Sequence, residues 1–198
     1  MIFEKEGRRL SLEEFEKVTE SSFVSKLDFE FHVLIKIVKE CAKYHRKGYL
    51  TREQLWLGSY FKKELTELAI PDVTIRWIDE TLGWGVFANR DLKPMTFIAE
   101  YTGQVRKRRR SDAKNGYCFE YIIAQGSKTP YTIDAQKQGG IARFINHSEK
   151  GNLIPNLATF DNVSHVVLYV KEGVRKGEQL CYDYGPDYWK RRKAPLDL

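Results

Sequence analysis

The first 70 residues carry apolar side chains at helical spacing. Val33, Ile37 and Cys41 follow Phe29 at intervals of four residues, with further apolar positions beside them. This spacing places the apolar side chains on one face of an amphipathic helix. A basic last turn followed by Gly48 is typical of the C-terminal end of such a helix.

A second helical segment is predicted in the same region. Its apolar side chains are expected to share one face; they are Leu55, Phe61, Leu65 and Leu68. Pro71 ends the segment. Ser or Thr three residues before Glu or Gln, at 11–14 and again at 51–54, predicts a capping box at each position. Residues 1–71 are therefore predicted to be a helical N-terminal region.

The pattern changes after Pro71 to short β-rich runs separated by Gly, Asn, Asp and Pro. The predicted strands cover residues 73–78, 86–88, 97–101, 118–123, 131–134 and 166–170. A long helix pattern does not separate them, so a doubly wound parallel sheet is not expected. We predict a mainly β domain over 72–186, followed by a basic C-terminal tail over 187–198.

Charge is unevenly distributed along the 198 residues. Residues 1–72 hold 13 basic and 13 acidic side chains, so the formal charge of +6 lies entirely beyond them. Two basic runs, at 106–110 and 190–193, concentrate this charge, and Lys114 follows the first. Such runs neutralise phosphates, dock an acidic partner or serve as a nuclear address, and a solvated loop or tail explains each equally well.

The three cysteines, Cys41, Cys118 and Cys181, are far apart and odd in number. This spacing predicts free thiols in a reducing intracellular compartment rather than a disulfide framework. The lack of a CxxC pair argues against a structural zinc cluster, and no metal site is expected. Neither a membrane-spanning apolar run nor a secretory signal peptide is recognised in the sequence.

Three short segments could carry chemistry, although each also has an ordinary structural explanation. Gly83-Trp84-Gly85 offers close backbone approach and a stacking face, or simply a turn. Residues 139–148 join two glycines to several polar side chains, which could instead satisfy local backbone groups. Residues 178–185 place Tyr182 and Tyr184 on one side of a strand, where tyrosines are also common as half-buried residues.

Catalysis by a triad or a metal is poorly supported. Asp134, His147 and Ser148 supply the residue types of a hydrolytic triad, but adjacent His and Ser are badly arranged for a mutual hydrogen bond. The GxSxG elbow is absent. His147 and His165 also lack carboxylates or thiolates at metal-ligand spacing.

Taken together and in order, the motifs resemble the SET-domain family of protein lysine methyltransferases. The resemblance runs from about residue 73 to 189 and rests on GWGVFA at 83–88, EYTG at 100–103, YTIDA at 131–135, RFINHS at 143–148 and GEQLCYDYG at 177–185. It implies small curled β-sheets in which the segments around Asn146 and Tyr184 pack in a knot-like crossing. It also implies S-adenosylmethionine on one face, a substrate peptide on the other, and a narrow channel for the lysine between them.

The resemblance also assigns site residues. Those implied to hold the cofactor are Gly83, Trp84, Gly85, Tyr117, Arg143, Asn146, His147, Tyr184 and Trp189. Tyr184 matches the catalytic tyrosine, and Tyr101 and Tyr182 match positions in the lysine channel. Tyrosine at the position of Tyr182 tends to limit methylation in this family, so we expect chiefly monomethylation, with dimethylation as the further possibility.

The sequence departs from many SET enzymes because it has no Cys-rich segments around the domain. Trp189 is expected to cover the cofactor pocket in their place, with ordinary burial as the alternative. A compact chain of this kind is similar to SET proteins of intracellular bacteria, including chlamydial ones, so the bacterial cytoplasm or secretion into a host cell is one expected setting and a eukaryotic nucleus the other.

The expected substrate is a histone or histone-like protein. The alternative function is a catalytically inactive SET-like module that binds chromatin or nucleic acid. Nucleic-acid contact through the basic runs and homodimerisation through residues 1–71 are further expectations, and a membrane partner is not expected.

Overall fold

A computed structural model describes residues 1–190. The chain is mainly β with several helices, as predicted. The helices are α1 (Leu12–Thr19), α2 (Phe31–Arg46), α3 (Arg52–Tyr60), α4 (Lys62–Glu67) and α5 (Pro186–Trp189), with 3-10 turns at Arg110–Lys114 and Ile141–Phe144. Residues 191–193 of the second basic run lie outside the described residues.

The strands are short and form four small sheets. They are β1 (Ile2–Lys5), β2 (Arg8–Leu10), β3 (Ser22–Phe23), β4 (Asp28–Phe29), β5 (Val73–Asp79), β6 (Gly83–Ala88), β7 (Phe97–Glu100), β8 (Gln104–Lys107), β9 (Cys118–Glu120), β10 (Tyr131–Asp134), β11 (Gln138–Gly139), β12 (Asn146–His147), β13 (Leu153–Phe160), β14 (Val163–Val170) and β15 (Gln179–Tyr182). The sheets have the orders β12-β15-β6-β5-β1-β2, β4-β8-β10-β9, β13-β14-β7 and β11-β3. Each of the six predicted runs contains a strand, but the run at 118–123 is strand only over Cys118–Glu120.

The first two helices follow the predicted local rules. The backbone N–H of Glu14 donates to the Ser11 hydroxyl at 3.1 Å, and the Ser11 N–H donates to the Glu14 carboxylate at 2.8 Å, which completes the capping box. Helix α2 buries Val33, Ile37 and Cys41 against the sheets. It ends before Gly48, whose φ of 69° fits the left-handed C-terminal position.

The prediction for α3 is only partly correct. Thr51 caps Gln54 as expected, but the Gln54 side chain is buried and does not return to Thr51. Its amide donates instead to the carbonyl oxygen of Ile123 at 2.6 Å and the hydroxyl of Thr159 at 2.7 Å. The Gln54 side chain thus bonds to two residues far along the chain instead of completing a capping box with Thr51.

The predicted common face of the second helical segment is wrong, because the helix is interrupted at Phe61. Phe61 and Leu65 pack in a small core with Leu57 and Tyr169, whereas Leu55 packs against the main core.

The N-terminal region also contains four strands that the helical prediction missed. Strand β1 pairs in parallel with β5, with Phe3 opposite Ile75, while β3 and β4 pair with β11 and β8. These pairings join residues on both sides of position 72. The domain boundary between residues 71 and 72 stays a prediction.

The first basic run is divided between the interior and the surface. Arg106 is 5% exposed, and its guanidinium binds the carboxylates of Asp112 at 2.7 Å and Asp134 at 2.6 Å. Arg108 pairs with Glu120 at 2.8 Å on the surface. The run is thus neither a simple solvated loop nor a uniform cationic patch.

The segments implied to cross near the C-terminus lie side by side. Strand β12 pairs in parallel with β15, with Asn146 opposite Cys181 and His147 opposite Tyr182. The backbone then turns so closely over β15 that a Cβ on Gly151 would lie 2.7 Å from the Cys181 carbonyl oxygen. This pairing brings the motifs at 143–148 and 177–185 together.

Candidate active site

A cavity of about 670 Å³ opens where these segments meet. Ten of the eleven predicted site residues line it: Gly83, Trp84, Tyr101, Tyr117, Arg143, Asn146, His147, Tyr182, Tyr184 and Trp189. They come from five parts of the sequence that the sheets bring to one place. A cavity of this size is within the range of small-molecule and cofactor sites.

Gly85 is the remaining predicted residue, and the structure places it away from the cavity wall. A Cβ at this position would lie 2.7 Å from Ile78 and 2.9 Å from the Gln179 side chain. A side chain at Gly85 would therefore have to displace the tips of these two neighbouring side chains. Gly83, whose φ is 70°, is the glycine of this motif that both lines the cavity and adopts a left-handed backbone.

A hydrogen bond joins the first glycine motif to the RFINHS segment. The side-chain amide of Asn146 donates to the backbone carbonyl of Trp84 at 3.2 Å. The Trp84 ring meets Trp77 edge-on, with the ring centroids 5.6 Å apart. These contacts fix the backbone around Gly83 where it forms the cavity wall.

Arg143 presents unpaired donors inside the site. Its guanidinium lies 4.4 Å from the centre of the Tyr117 ring and 4.8 Å from that of Phe144. Its Nε and Nη1 are buried, and neither has a hydrogen-bond partner among residues 1–190. Because buried donors without partners are costly, this arrangement is suited to an anionic ligand group such as a carboxylate.

Three tyrosines converge at one end of the cavity. The rings of Tyr182 and Tyr184 lie 4.8 Å apart, as the alternation along the strand predicts. The hydroxyl of Tyr101 donates to the Tyr117 carbonyl at 2.9 Å. Burial raises the pKa of all three phenols well above the usual value, and proximity of Tyr184 to Tyr101 adds to the effect. The phenols therefore stay neutral over the physiological pH range.

Tyr184 is also held by the RFINHS segment. Its hydroxyl donates to the Ile145 carbonyl, and its backbone N–H donates to Nδ1 of the His147 ring at 3.1 Å. The tautomer with the proton on Nε2 of His147 accepts this bond. His147 is buried and lines the cavity.

Trp189 lies over this end of the cavity. Its ring is nearly parallel to that of Tyr184, with the ring centroids 6.1 Å apart, and its centroid lies 4.9 Å from that of the His147 ring. Its indole Nε1 is buried without a hydrogen-bond partner in the described part of the chain. An indole donor in this state can bind an acceptor on a ligand.

Sequence reasoning missed other residues of the wall. They are Val18, Thr19, Trp77, Thr81, Leu82, Gly116, Cys118, Phe119, Ala142, Phe144 and Tyr188. Most are ordinary helix, turn or strand residues with no chemical signature. Burial raises the pKa of the Cys118 thiol to about 11, with nearby Asp134 adding to the effect, so the thiol stays protonated.

Residues 1–190 hold neither a metal-binding cluster nor a membrane-spanning helix. Groups of three or more His, Cys, Asp or Glu side chains that could hold a metal ion are not present there. Helices long and apolar enough to cross a membrane are also not found there.

The sheets, the paired C-terminal segments and the tyrosine-lined cavity define a SET fold. Residues 83–185 match the SET domain family, and the chain belongs to that family.

The curated relatives are named as lysine methyltransferases. The chain is 38% identical over 125 residues to N-lysine methyltransferase KMT5A-A of Xenopus laevis. The match covers 58% of this chain and 36% of that protein. It is 36% identical over 112 residues to histone-lysine N-methyltransferase Set8 of Drosophila melanogaster, covering 52% of this chain and 16% of that protein. The chain thus spans about a third or less of the length of these relatives.

Two solved structures support the fold. ATXR5 in complex with histone H3.1 mono-methylated on R26 superposes with a TM-score of 0.66 at 23% identity, covering 88% of this chain and 86% of that one. ctPRC2 in an autoinhibited conformation bound to S-adenosylmethionine gives a TM-score of 0.54 at 24% identity, covering 64% of this chain and 17% of that one. At these identities the likeness concerns the fold alone.

Proposed function

We propose that this protein is an S-adenosylmethionine-dependent protein lysine N-methyltransferase. The observation that carries the proposal is a single cavity lined by the neutral phenols of Tyr101, Tyr182 and Tyr184 and by Arg143, which has buried donors without partners. The family membership and the names of the relatives support it further.

The residues of the cavity fit the cofactor. S-adenosylmethionine, when bound, supplies a methyl group activated by a sulfonium centre. The unpaired donors of Arg143 suit its carboxylate, and the Gly83–Trp84 backbone and Asn146 suit its other polar groups. The ring of Trp189 and the backbone of His147 provide a surface for its flat base.

The tyrosines suit the substrate lysine. A free lysine amine has a pKa of about 10.4, so at neutral pH it is almost entirely protonated and is not a nucleophile. A channel lined by neutral phenols gives the ammonium ion little compensation for lost water, which favours the neutral amine. Tyr184 orients this amine, because its own proton is already donated to Ile145 and its oxygen is left to accept.

The expected product is chiefly monomethyl-lysine. The hydroxyl of Tyr182 occupies space beside Tyr184 and can hold the amine or a water molecule. The expected substrate is a histone or histone-like protein, which the names of the relatives favour.

Nucleic-acid contact is proposed for part of the first basic run. Arg106 and Arg108 are engaged in ion pairs, so the cations of this run left for a partner are the exposed Lys107, Arg109 and Arg110. Such side chains can neutralise phosphates near a basic substrate. Dimerisation through residues 1–71, a chlamydial-type origin and a reducing intracellular or nuclear location also stay predictions.

The direct test is methyl transfer from labelled S-adenosylmethionine to core histones, linker-type histones and the protein itself. We expect transfer to lysine by the wild type and a loss of at least about 100-fold in Tyr184→Phe. Tyr44→Phe, on α2 and away from the cavity, is the matched control. Cofactor binding without transfer would mean that the substrate is a protein other than these. Neither transfer nor cofactor binding would favour the alternative, an inactive SET-like module that binds chromatin or nucleic acid.

A further inference from the structure

One wall of the cavity is formed by residues that precede the SET match. Its members lie on the last turn of α1, on β5 and in the turn before β6: Val18, Thr19, Trp77, Thr81 and Leu82. All of them come before Gly83, where the family match begins. Val18 and Thr19 belong to residues 1–71, so the N-terminal region contributes directly to the cavity lining.

Helix α1 is anchored to two site motifs through Phe15. The Phe15 side chain is buried, and its ring meets Trp84 edge-on at 5.0 Å and Phe144 at 5.1 Å. Trp84 follows Gly83 in the sequence, and Phe144 follows Arg143. The position of α1 is thus fixed relative to both sides of the cavity.

Val18 lies at the rim of the cavity, one turn beyond Phe15. It is 47% exposed and yet lines the cavity, so a ligand seated there can cover it. Its neighbour Thr19 donates its hydroxyl to the Phe15 carbonyl at 2.8 Å and is occupied within the helix. Val18 therefore offers an apolar contact that becomes favourable when a ligand displaces water.

We propose, on the basis of the proposed function, that α1 forms one wall of the S-adenosylmethionine site and that Val18 contacts the bound cofactor. Residues 1–71 then have a direct role in ligand binding. This role is independent of whether the same region also joins two chains.

The test compares binding of S-adenosylhomocysteine, measured by titration calorimetry, in wild type, Val18→Trp and Leu12→Trp. Leu12 is the matched control because it lies on the same helix, is also 47% exposed and does not line the cavity. We expect Val18→Trp to bind at least ten-fold more weakly and Leu12→Trp to bind within two-fold of wild type. Val18→Ala removes contact without bulk and should weaken binding about two- to five-fold.

Each outcome separates the two hypotheses. Wild type that binds neither S-adenosylhomocysteine nor S-adenosylmethionine would overturn the proposed function together with this inference. Wild type that binds, with Val18→Trp and Val18→Ala both within experimental error of it, would overturn the assignment of α1 alone. Thermal unfolding of each variant shows whether it is folded, and Val18→Ala decides the question if Val18→Trp is not.

Discussion

The hydroxyl oxygen of Tyr184 lies 2.6 Å from the backbone carbonyl oxygen of Ile145 and donates its proton to it. Because burial keeps this phenol neutral, the proton stays on the oxygen, and only lone pairs face the cavity. A group in this state can accept from a neutral amine but cannot protonate it. The hydrogen bond to Ile145 thus makes the Tyr184 hydroxyl an acceptor, and not a donor, towards a ligand in the cavity.

Replacing Tyr182 with Phe should raise the methylation state of the product. The variant keeps the ring that contacts Tyr184 at 4.8 Å but loses the hydroxyl that occupies the space beside it. We expect the product to shift from monomethyl- towards di- and trimethyl-lysine in the mass spectrum. Tyr131→Phe, a strand residue away from the cavity, should leave the product unchanged. An unchanged product from Tyr182→Phe would contradict the prediction.

Arg143→Ala should weaken cofactor binding. The lost hydrogen bonds involve charged groups, each worth about 1.5–3 kcal/mol, so we expect S-adenosylhomocysteine to bind about ten- to hundred-fold more weakly. Arg76→Ala is the control, because Arg76 also lies over an aromatic ring, that of Phe87 at 3.9 Å, but does not line the cavity. Equal losses in the two variants would show that the effect of Arg143 is only structural.

Arg106→Gln should destabilise the protein by about 3–5 kcal/mol, because it leaves the buried carboxylate of Asp112 and the partly buried carboxylate of Asp134 without their cation. Arg108→Gln provides the comparison, since its ion pair with Glu120 is exposed and worth less than about 1 kcal/mol. The measurement is urea unfolding of both variants and the wild type. A loss for Arg106→Gln as small as that for Arg108→Gln would argue against a structural role of the buried cluster.

The contribution of Asp112 to stability should disappear in acid. The hydrogen bonds from Arg106 hold the pKa of Asp112 below its ordinary value of 3.8. A carboxyl whose pKa is lowered on folding stabilises the protein above its unfolded-state pKa and loses this contribution as pH falls through its folded-state pKa.

Asp112→Asn should therefore be less stable than wild type at pH 7, and the difference in the free energy of unfolding should shrink below about pH 4. Urea unfolding at pH 7, 5 and 3 measures it. A difference that stays constant down to pH 3 would mean that the charge of Asp112 is not what stabilises the cluster.

Features governed by local sequence were predictable. The Ser11–Glu14 box depends on residues three apart, and the buried face of α2 depends on a period of four. Tyr182, at the end of β15, and Tyr184, just beyond it, were placed together by simple alternation. Recognition of five motifs in order then located eight of the residues around the cavity, and Tyr117 and Trp189 were predicted from outside those motifs.

Features governed by distant partners were not predictable from pattern. Strands β3 and β4 have two residues each, too few for any periodicity, and exist through pairing with β11 and β8. Arg106 looked like one cation in a run, because its partner Asp134 lies 28 residues away. Val18 carries no chemical signature in the sequence, and most of the other cavity residues come from much later parts of the chain.

The six-stranded sheet places β1, near residue 2, and β15, which ends at Tyr182, in one hydrogen-bonded unit. Contacts between residues so far apart give the fold a high contact order, which slows folding because long loops must close before the contacts form. During synthesis the cavity cannot form until β15 has been made and paired with β6 and β12. We therefore expect the last strand to complete folding and the ligand site in a single step.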